Sequence, residues 1–130
     1  MAFGFLDEMA IAVHTAAPPS DEDIQAWLRE VVHHRAERIL IMGGASPGPN
    51  AVQRKIMIEA ARTNNLNPKT AILTDSAIAR GAATVFNWFN ISGIRIFTVN
   101  DVEGALRYLA LDVSESEVRS AIESIRAKLR

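Results

Sequence analysis

The chain contains no cysteine. This absence excludes disulfide bonds, thiolate metal sites and cysteine nucleophiles together. An excess of charge is also missing, because 14 Lys and Arg residues face 15 Asp and Glu residues. Proteins that bind nucleic acid or coat anionic membranes in bulk need a basic surplus. We therefore expect no nucleic-acid partner.

Long apolar runs and targeting signals are missing as well. No apolar run reaches the ~18 residues that a membrane-spanning helix needs, and Asp75 and Arg80 interrupt the least charged stretch, 71–94. The first residues lack a basic region and carry Asp7 and Glu8, so we do not expect a signal peptide. With 130 residues and 48% apolar content, the chain is predicted to form one cytoplasmic domain over 1–130.

Short apolar segments bounded by turn residues predict the strands. A first pair is expected as a hairpin across Asp7 and Glu8, and the later strands alternate with helical segments. Parallel strands need such crossover helices, so the core of the sheet should be parallel and its leading hairpin antiparallel. The predicted strands are Phe3–Leu6, Met9–His14, Arg38–Met42, Lys69–Thr74 and Ile94–Val99.

Cap residues followed by a suitable side chain three positions later predict the helix starts. The second helix should bury Val52, Ile56, Met57 and Ala60, which recur at helical spacing. The last helix, within 114–130, is interpreted as a C-terminal appendage. The predicted caps are Ser20 with Asp23, Asn50 with Gln53, Asp75 or Ser76, Asn100 with Glu103, and Ser114 with Glu117.

This pattern predicts an α/β fold with a mixed, mostly parallel sheet of four to five strands and about five helices. The element order resembles the STAS-like superfamily, and most closely its small SpoIIAA-like members, the anti-sigma-factor antagonists. The similarity covers roughly 9–111 and rests on RILIMGGASPGPN (38–50), KTAILTDSAIARG (69–81) and the segment 89–99. It implies a regulatory module that binds another protein and does not catalyse a reaction.

The resemblance also implies a phosphorylation site at the start of the helix after the second parallel strand. The antagonists carry Asp-Ser-Ser/Thr-Gly there, whereas this chain has Ala45-Ser46-Pro47-Gly48-Pro49-Asn50. The acid and the serine pair are missing and two prolines are inserted. Ser46 alone could take the role of the phosphorylated serine.

The loop Gly43–Asn50 joins a predicted strand to a helix N-terminus, where open α/β sheets bind ligands and where free amides favour anions. It matches neither the Walker A pattern nor GxGxxG, and its prolines remove two amide donors. A rigid turn, whose prolines stiffen the loop, is the favoured explanation of this segment. Gly44-x-Ser46-x-Gly48 does match the nucleophile elbow of hydrolases. However, Pro47 has no amide for an oxyanion hole, and no histidine follows Ser46.

Three further features of the sequence concern a functional site. Asp75 and Ser76 follow the next strand, where capping explains both, and Arg80 could accompany an anion there or pair with Asp75. The histidines lack the spacing of a metal site, so no metal or cofactor is expected. Among His14, His33 and His34, only His14, at a strand end, remains a candidate. Trp88 lies off the apolar stripe of its helix, so it is either covered by the last helix or exposed at an interface.

The leading hypothesis is therefore a protein-interaction module whose partner is another protein or a second copy of the chain. The first alternative is a site for a small anionic ligand or nucleotide phosphate on the same loops, and the weaker one is a serine hydrolase built on Ser46. The candidate binding residues are Gly43, Gly44, Ser46, Asn50, Asp75, Ser76, Arg80 and Trp88.

Overall fold

The computed structural model describes residues 1–81 and 93–129. The strands are β1 (Ala2–Leu6), β2 (Met9–Val13), β3 (Arg38–Gly44), β4 (Lys69–Thr74) and β5 (Ile94–Phe97). The helices are α1 (Asp21–His34), α2 (Ala51–Thr63), α3 (described over 77–81), α4 (Val102–Leu109) and α5 (Glu115–Arg126), which a short 3₁₀ turn, Ala127–Leu129, follows.

One mixed sheet runs in the order β1-β2-β3-β4-β5. β1 pairs antiparallel with β2, and every later pair is parallel. The α/β class and the mostly parallel sheet with an antiparallel hairpin at one edge are thus confirmed. No helix in the described ranges is long and apolar enough to cross a membrane.

Helices cover both faces of the sheet, and β2 lies buried between them. Met9, Ile11 and Val13 point to the face that α4 and α5 cover. Ala10 and Ala12 point the opposite way, where the indole of Trp27 in α1 packs against them. The order of the parallel strands in the sheet is the same as their order along the chain and never reverses. Because of this, crossover connections of one hand place α1 and α2 on the same face of the sheet.

The outer edge of β1 is protected by the C-terminal segment. The Lys128 ammonium donates to the Phe3 carbonyl over 3.0 Å, and a Cβ at Gly4 would lie 3.1 Å from the Ile125 side chain. A lysine on an edge carbonyl is a common way to discourage pairing with another chain. The last helix is thus packed on the domain.

The buried face of α2 differs from the prediction. Val52 and Ile56 are 69% and 42% exposed, whereas Gln53 and Ile58 are buried and Met57 and Ala60 are half-buried. The capping box gives the reason. Gln53 closes it with Asn50, and its Nε2 also donates to the Pro19 carbonyl at 3.1 Å and to Asp21 Oδ1 at 2.9 Å. These bonds turn the Gln53 side of α2 inward and the Val52 side outward.

The start of α4 also differs from the prediction. Asp101, and not Asn100, caps the helix, and its Oδ1 accepts from the Gly104 amide at 3.0 Å. β5 ends at Phe97 and not at Val99, because a turn follows in which the Asp101 amide donates to the Thr98 carbonyl over 3.0 Å. That turn carries the cap one residue further along the chain.

Replacing Asn100 and Asp101 in separate variants tests which of the two residues caps α4. We expect Asp101→Ala to lower the free energy of unfolding by about 1 kcal/mol, the usual cost of losing an N-cap side chain. Asn100→Ala should change it by less than ~0.5 kcal/mol, as exposed substitutions away from caps do. Urea denaturation of both variants measures the difference. Equal losses would contradict the cap at Asp101.

Candidate functional site

The β3–α2 loop, Gly43–Asn50, is held in place by bonds to its own atoms and to the end of β4. The Ser46 amide donates to the Gly43 carbonyl at 3.0 Å. The Gly44 carbonyl accepts from Thr74 Oγ1 at 3.0 Å and from the Asp75 amide at 3.1 Å. Gly44 has a positive φ of 53°, a conformation that glycine adopts without strain. The loops after β3 and β4 therefore form one structure at the carboxyl edge.

Ser46 lies inside this structure. It is 1% exposed, and its hydroxyl donates to the Ala17 carbonyl at 3.2 Å and accepts from the Gly48 amide at 3.1 Å. The side chain thus joins the loop to the segment before α1. A kinase, or the substrate of a hydrolase, could reach this oxygen only after the loop opened.

The amides of the loop are largely committed as well. Pro47 and Pro49 have no N–H, and the Gly48 amide bonds to Ser46. The Asn50 amide donates to Gln53 Oε1 at 2.9 Å, and the Gln53 amide donates back to Asn50 Oδ1 at 2.8 Å. Phosphate-binding loops need several amides directed at the anion. The bonds within this loop leave few donors for that purpose.

The residues after β4 form the first turn of α3. The Ser76 hydroxyl accepts from the Ala79 amide at 3.3 Å, so Ser76, of the two predicted residues, is the cap. Arg80 donates through a terminal nitrogen to the Thr74 carbonyl at 3.3 Å, and Asp75 is exposed. A Cβ at Gly48 would lie 3.9 Å from the Ala79 Cβ. The structure therefore joins the two predicted loop regions, while the predicted contact residue Trp88 lies outside the described residues.

A cavity of about 70 Å³ lies directly beneath these loops, between the sheet and the helices α1 and α2. Gly43, Ser46 and Gly48 form its outer wall, and Trp27 forms part of its floor. His14 follows the end of β2 and also lines it. A water molecule needs only about 10–15 Å³ of such space, so the cavity has room for several waters or a small ligand.

His14 is the unusual residue of this cavity. Its Nδ1 is buried and has no hydrogen-bond partner among the described residues. Burial, with a smaller contribution from the N-terminal ammonium, lowers the pKa of His14 to about 4, against the opposing effect of Asp23. The imidazole is therefore neutral at pH 7. An unpaired buried acceptor or donor costs about 1–3 kcal/mol, so this nitrogen is a place where an incoming polar group would gain free energy.

Asp23 connects His14 electrostatically to the start of α1. Burial alone would raise the pKa of Asp23, but the amide and hydroxyl of Ser20 and the N-terminal ammonium together hold it below its ordinary value. Asp23 Oδ2 lies 3.5 Å from the Met1 amine and 3.1 Å from the Ser20 amide. The Asp23 carboxylate thus accepts a hydrogen bond in the capping box and forms an ion pair with the N-terminal ammonium.

In the sequence, His14 and Ser46 are separate candidates, whereas the structure places them in one cavity. His14 follows β2 and Ser46 follows β3, and these neighbouring strands are parallel. Residues just beyond the carboxyl ends of adjacent parallel strands meet at one edge of the sheet. The predicted parallel strands could therefore have indicated that His14 and Ser46 lie close together. Even so, the Ser46 hydroxyl bonds to backbone atoms and His14 Nδ1 has no partner, so the two side chains do not form a nucleophile–base pair.

The described residues include no group of three or more His, Cys, Asp or Glu side chains that could hold a metal ion. Comparisons with protein-family models, with curated proteins and with solved structures gave no match to this chain.

The neutral, buried state of His14 predicts a dependence of stability on pH. Its native pKa lies below the unfolded value of about 6.5. As the pH falls from about 6.5 towards 4, the unfolded chain takes up a proton that the native imidazole does not. The contribution of His14 is therefore complete above pH 6.5 and is lost on acidification, by about 2 kcal/mol at pH 5.

Urea denaturation near pH 7 and near pH 5 measures this loss. We expect His14→Gln to remove most of the decrease, because glutamine does not titrate. His33→Gln is the matched control, since His33 is exposed, and it should keep the wild-type decrease. An unchanged pH dependence in His14→Gln would mean that the native imidazole is not held neutral.

Proposed function

We propose that this domain is a STAS-like regulatory module that acts by binding another protein. The contact surface would be the loop Gly43–Asn50 together with the large apolar side chains that are exposed beside it on α2 and α3. One observation carries the proposal. The exposed large hydrophobic residues of the described chain are Val52, Ile56 and Ile78, and all three lie on those two helices.

The positions of these side chains support a contact surface. Val52 and Ile78 each stand two residues after the cap of their helix, and both are 69% exposed. The two helices start beside the ends of neighbouring strands, and Ile56 continues the apolar stripe one turn along α2. Single exposed hydrophobic residues are ordinary, but a group confined to one edge is typical of a protein-binding surface.

The geometry gives less support to the alternatives. An anionic ligand would need amides that Ser46 and the capping box already use. A hydrolase would need a reactive Ser46 and an amide donor after it, but Ser46 is buried and Pro47 has no N–H. The element order of the described residues agrees with that expected of a STAS-like domain.

Acidic substitutions test the surface without disturbing the fold. Val52→Asp with Ile78→Asp places a carboxylate in the first turn of each helix, where the helix dipole favours it. Ala51→Asp with Ala77→Asp is the matched control, because these exposed residues precede them by one position. Both double variants should therefore fold, and they carry the same added charge.

We expect the first double variant to bind its partner with at least tenfold lower affinity, whereas the control should bind with the wild-type affinity. Quantitative pulldown from the source cells, with each variant as bait, makes the comparison, and light scattering of the purified chain tests a second copy as the partner. Equal behaviour of the two variants in both assays would refute the proposed surface.

A further inference from the structure

A second cavity adjoins the one beside His14. It has a volume of about 110 Å³ and lies between the sheet and the helices α1 and α2. The two share four lining residues: Trp27, Ile41, Met57 and Ile72. Together they form an elongated apolar space that begins under the Gly43–Asn50 loop and extends to Leu66 and Ile94.

The polar groups of this space are almost all satisfied. Thr70, in the second cavity, donates its hydroxyl to the Pro68 carbonyl at 3.2 Å, and Ser46 bonds to Ala17 and Gly48. Among the described residues, no charged side chain lines either cavity, and the ammonium of Met1, which lines the first one, is paired with Asp23. His14 Nδ1, at one end, is thus the polar atom of the described chain that is enclosed without a partner.

These walls define the chemistry of an occupant. A charged group would lose its hydration, which is costly, and the described lining offers it no unpaired group of opposite charge, because the Met1 ammonium is already paired with Asp23. A hydrocarbon chain would gain free energy throughout the space. A hydroxyl group can both donate and accept, so it can pair with His14 Nδ1 whichever ring nitrogen carries the proton. An uncharged molecule with one hydroxyl group and a hydrocarbon chain satisfies all three conditions.

We propose that this space binds such an alcohol, with the hydroxyl group on His14 Nδ1 and the chain between the sheet and the helices α1 and α2. The site lies under the loop Gly43–Asn50 and does not include Val52 or Ile78. Its test therefore does not depend on the protein partner.

Hexanol is the first probe, and hexanoate and hexylamine are its charged counterparts with the same hydrocarbon chain. We expect hexanol to raise the melting temperature in a saturable manner, because it binds the native state, and the charged compounds to have no saturable effect. In nitrogen NMR spectra, hexanol should shift the imidazole resonances of His14 and leave those of His33 and His34 unchanged. Equal effects of the three compounds, or an unchanged His14 resonance at saturation, would overturn the proposal.

The length of the alcohol tests the second cavity. From butanol to hexanol the affinity should rise ~4-fold for each added methylene group, and it should level off once the cavity is filled. Ala60→Leu narrows that cavity, so in this variant the affinity should stop rising at a shorter alcohol. Ala51→Leu, an exposed change on the same helix, should have no effect. A dependence on chain length that is identical in the two variants would show that the chain does not enter the second cavity.

His14→Phe tests the polar end of the site. It keeps a ring in the cavity but removes the nitrogen, and we expect it to weaken hexanol binding about tenfold, as the loss of one hydrogen bond does. Undiminished binding would refute the role of Nδ1. Because the wild-type measurements need no substitution, a His14→Phe chain that fails to fold leaves the test intact.

Discussion

The burial of β2 on both faces is the constraint on which the rest of the structure depends. Each residue from Met9 to Val13 is at most 1% exposed, so a polar side chain at any of these positions would need a hydrogen-bond partner inside the protein. Their sizes alternate. Large side chains meet α4 and α5, and alanines leave room for Trp27 of α1. A strand buried in this way ends inside the protein, so the residue after it, His14, is partly buried and its Nδ1 is enclosed.

The rotation of α2 then decides what the carboxyl edge presents to its surroundings. Gln53 bonds at once to Asn50, Pro19 and Asp21, so it fixes the helix relative to the segment before α1. An unbonded Gln53 amide in the interior would cost about 1–3 kcal/mol, so these bonds hold the helix in this rotation. The consequence is that Val52 and Ile56 face outward. The local capping geometry thus outweighs the apolar periodicity of the helix.

Much of the fold could be predicted because its signals are local. The capping boxes at Ser20 and Asn50 and the cap at Ser114 are confirmed, and so is the hairpin across Asp7 and Glu8. The errors arose where two local signals competed. Asn100 and Asp101 are both good caps, and the turn after Phe97 decides between them. The meeting of His14 with Ser46 depends on which strands are neighbours, which no local pattern encodes. The roles of the candidate residues stay predictions.

The loop Gly43–Asn50 serves the cavity and the surface at once, and its rigidity matters to both. Pro47 and Pro49 fix two φ angles, and the bonds of Ser46, Gly44 and Asn50 leave the backbone few alternatives. A loop ordered before binding loses little conformational entropy when something binds to either side of it. The same prolines and internal bonds that remove donors for an anion therefore favour apolar contact, inside at the cavity wall and outside beside Val52.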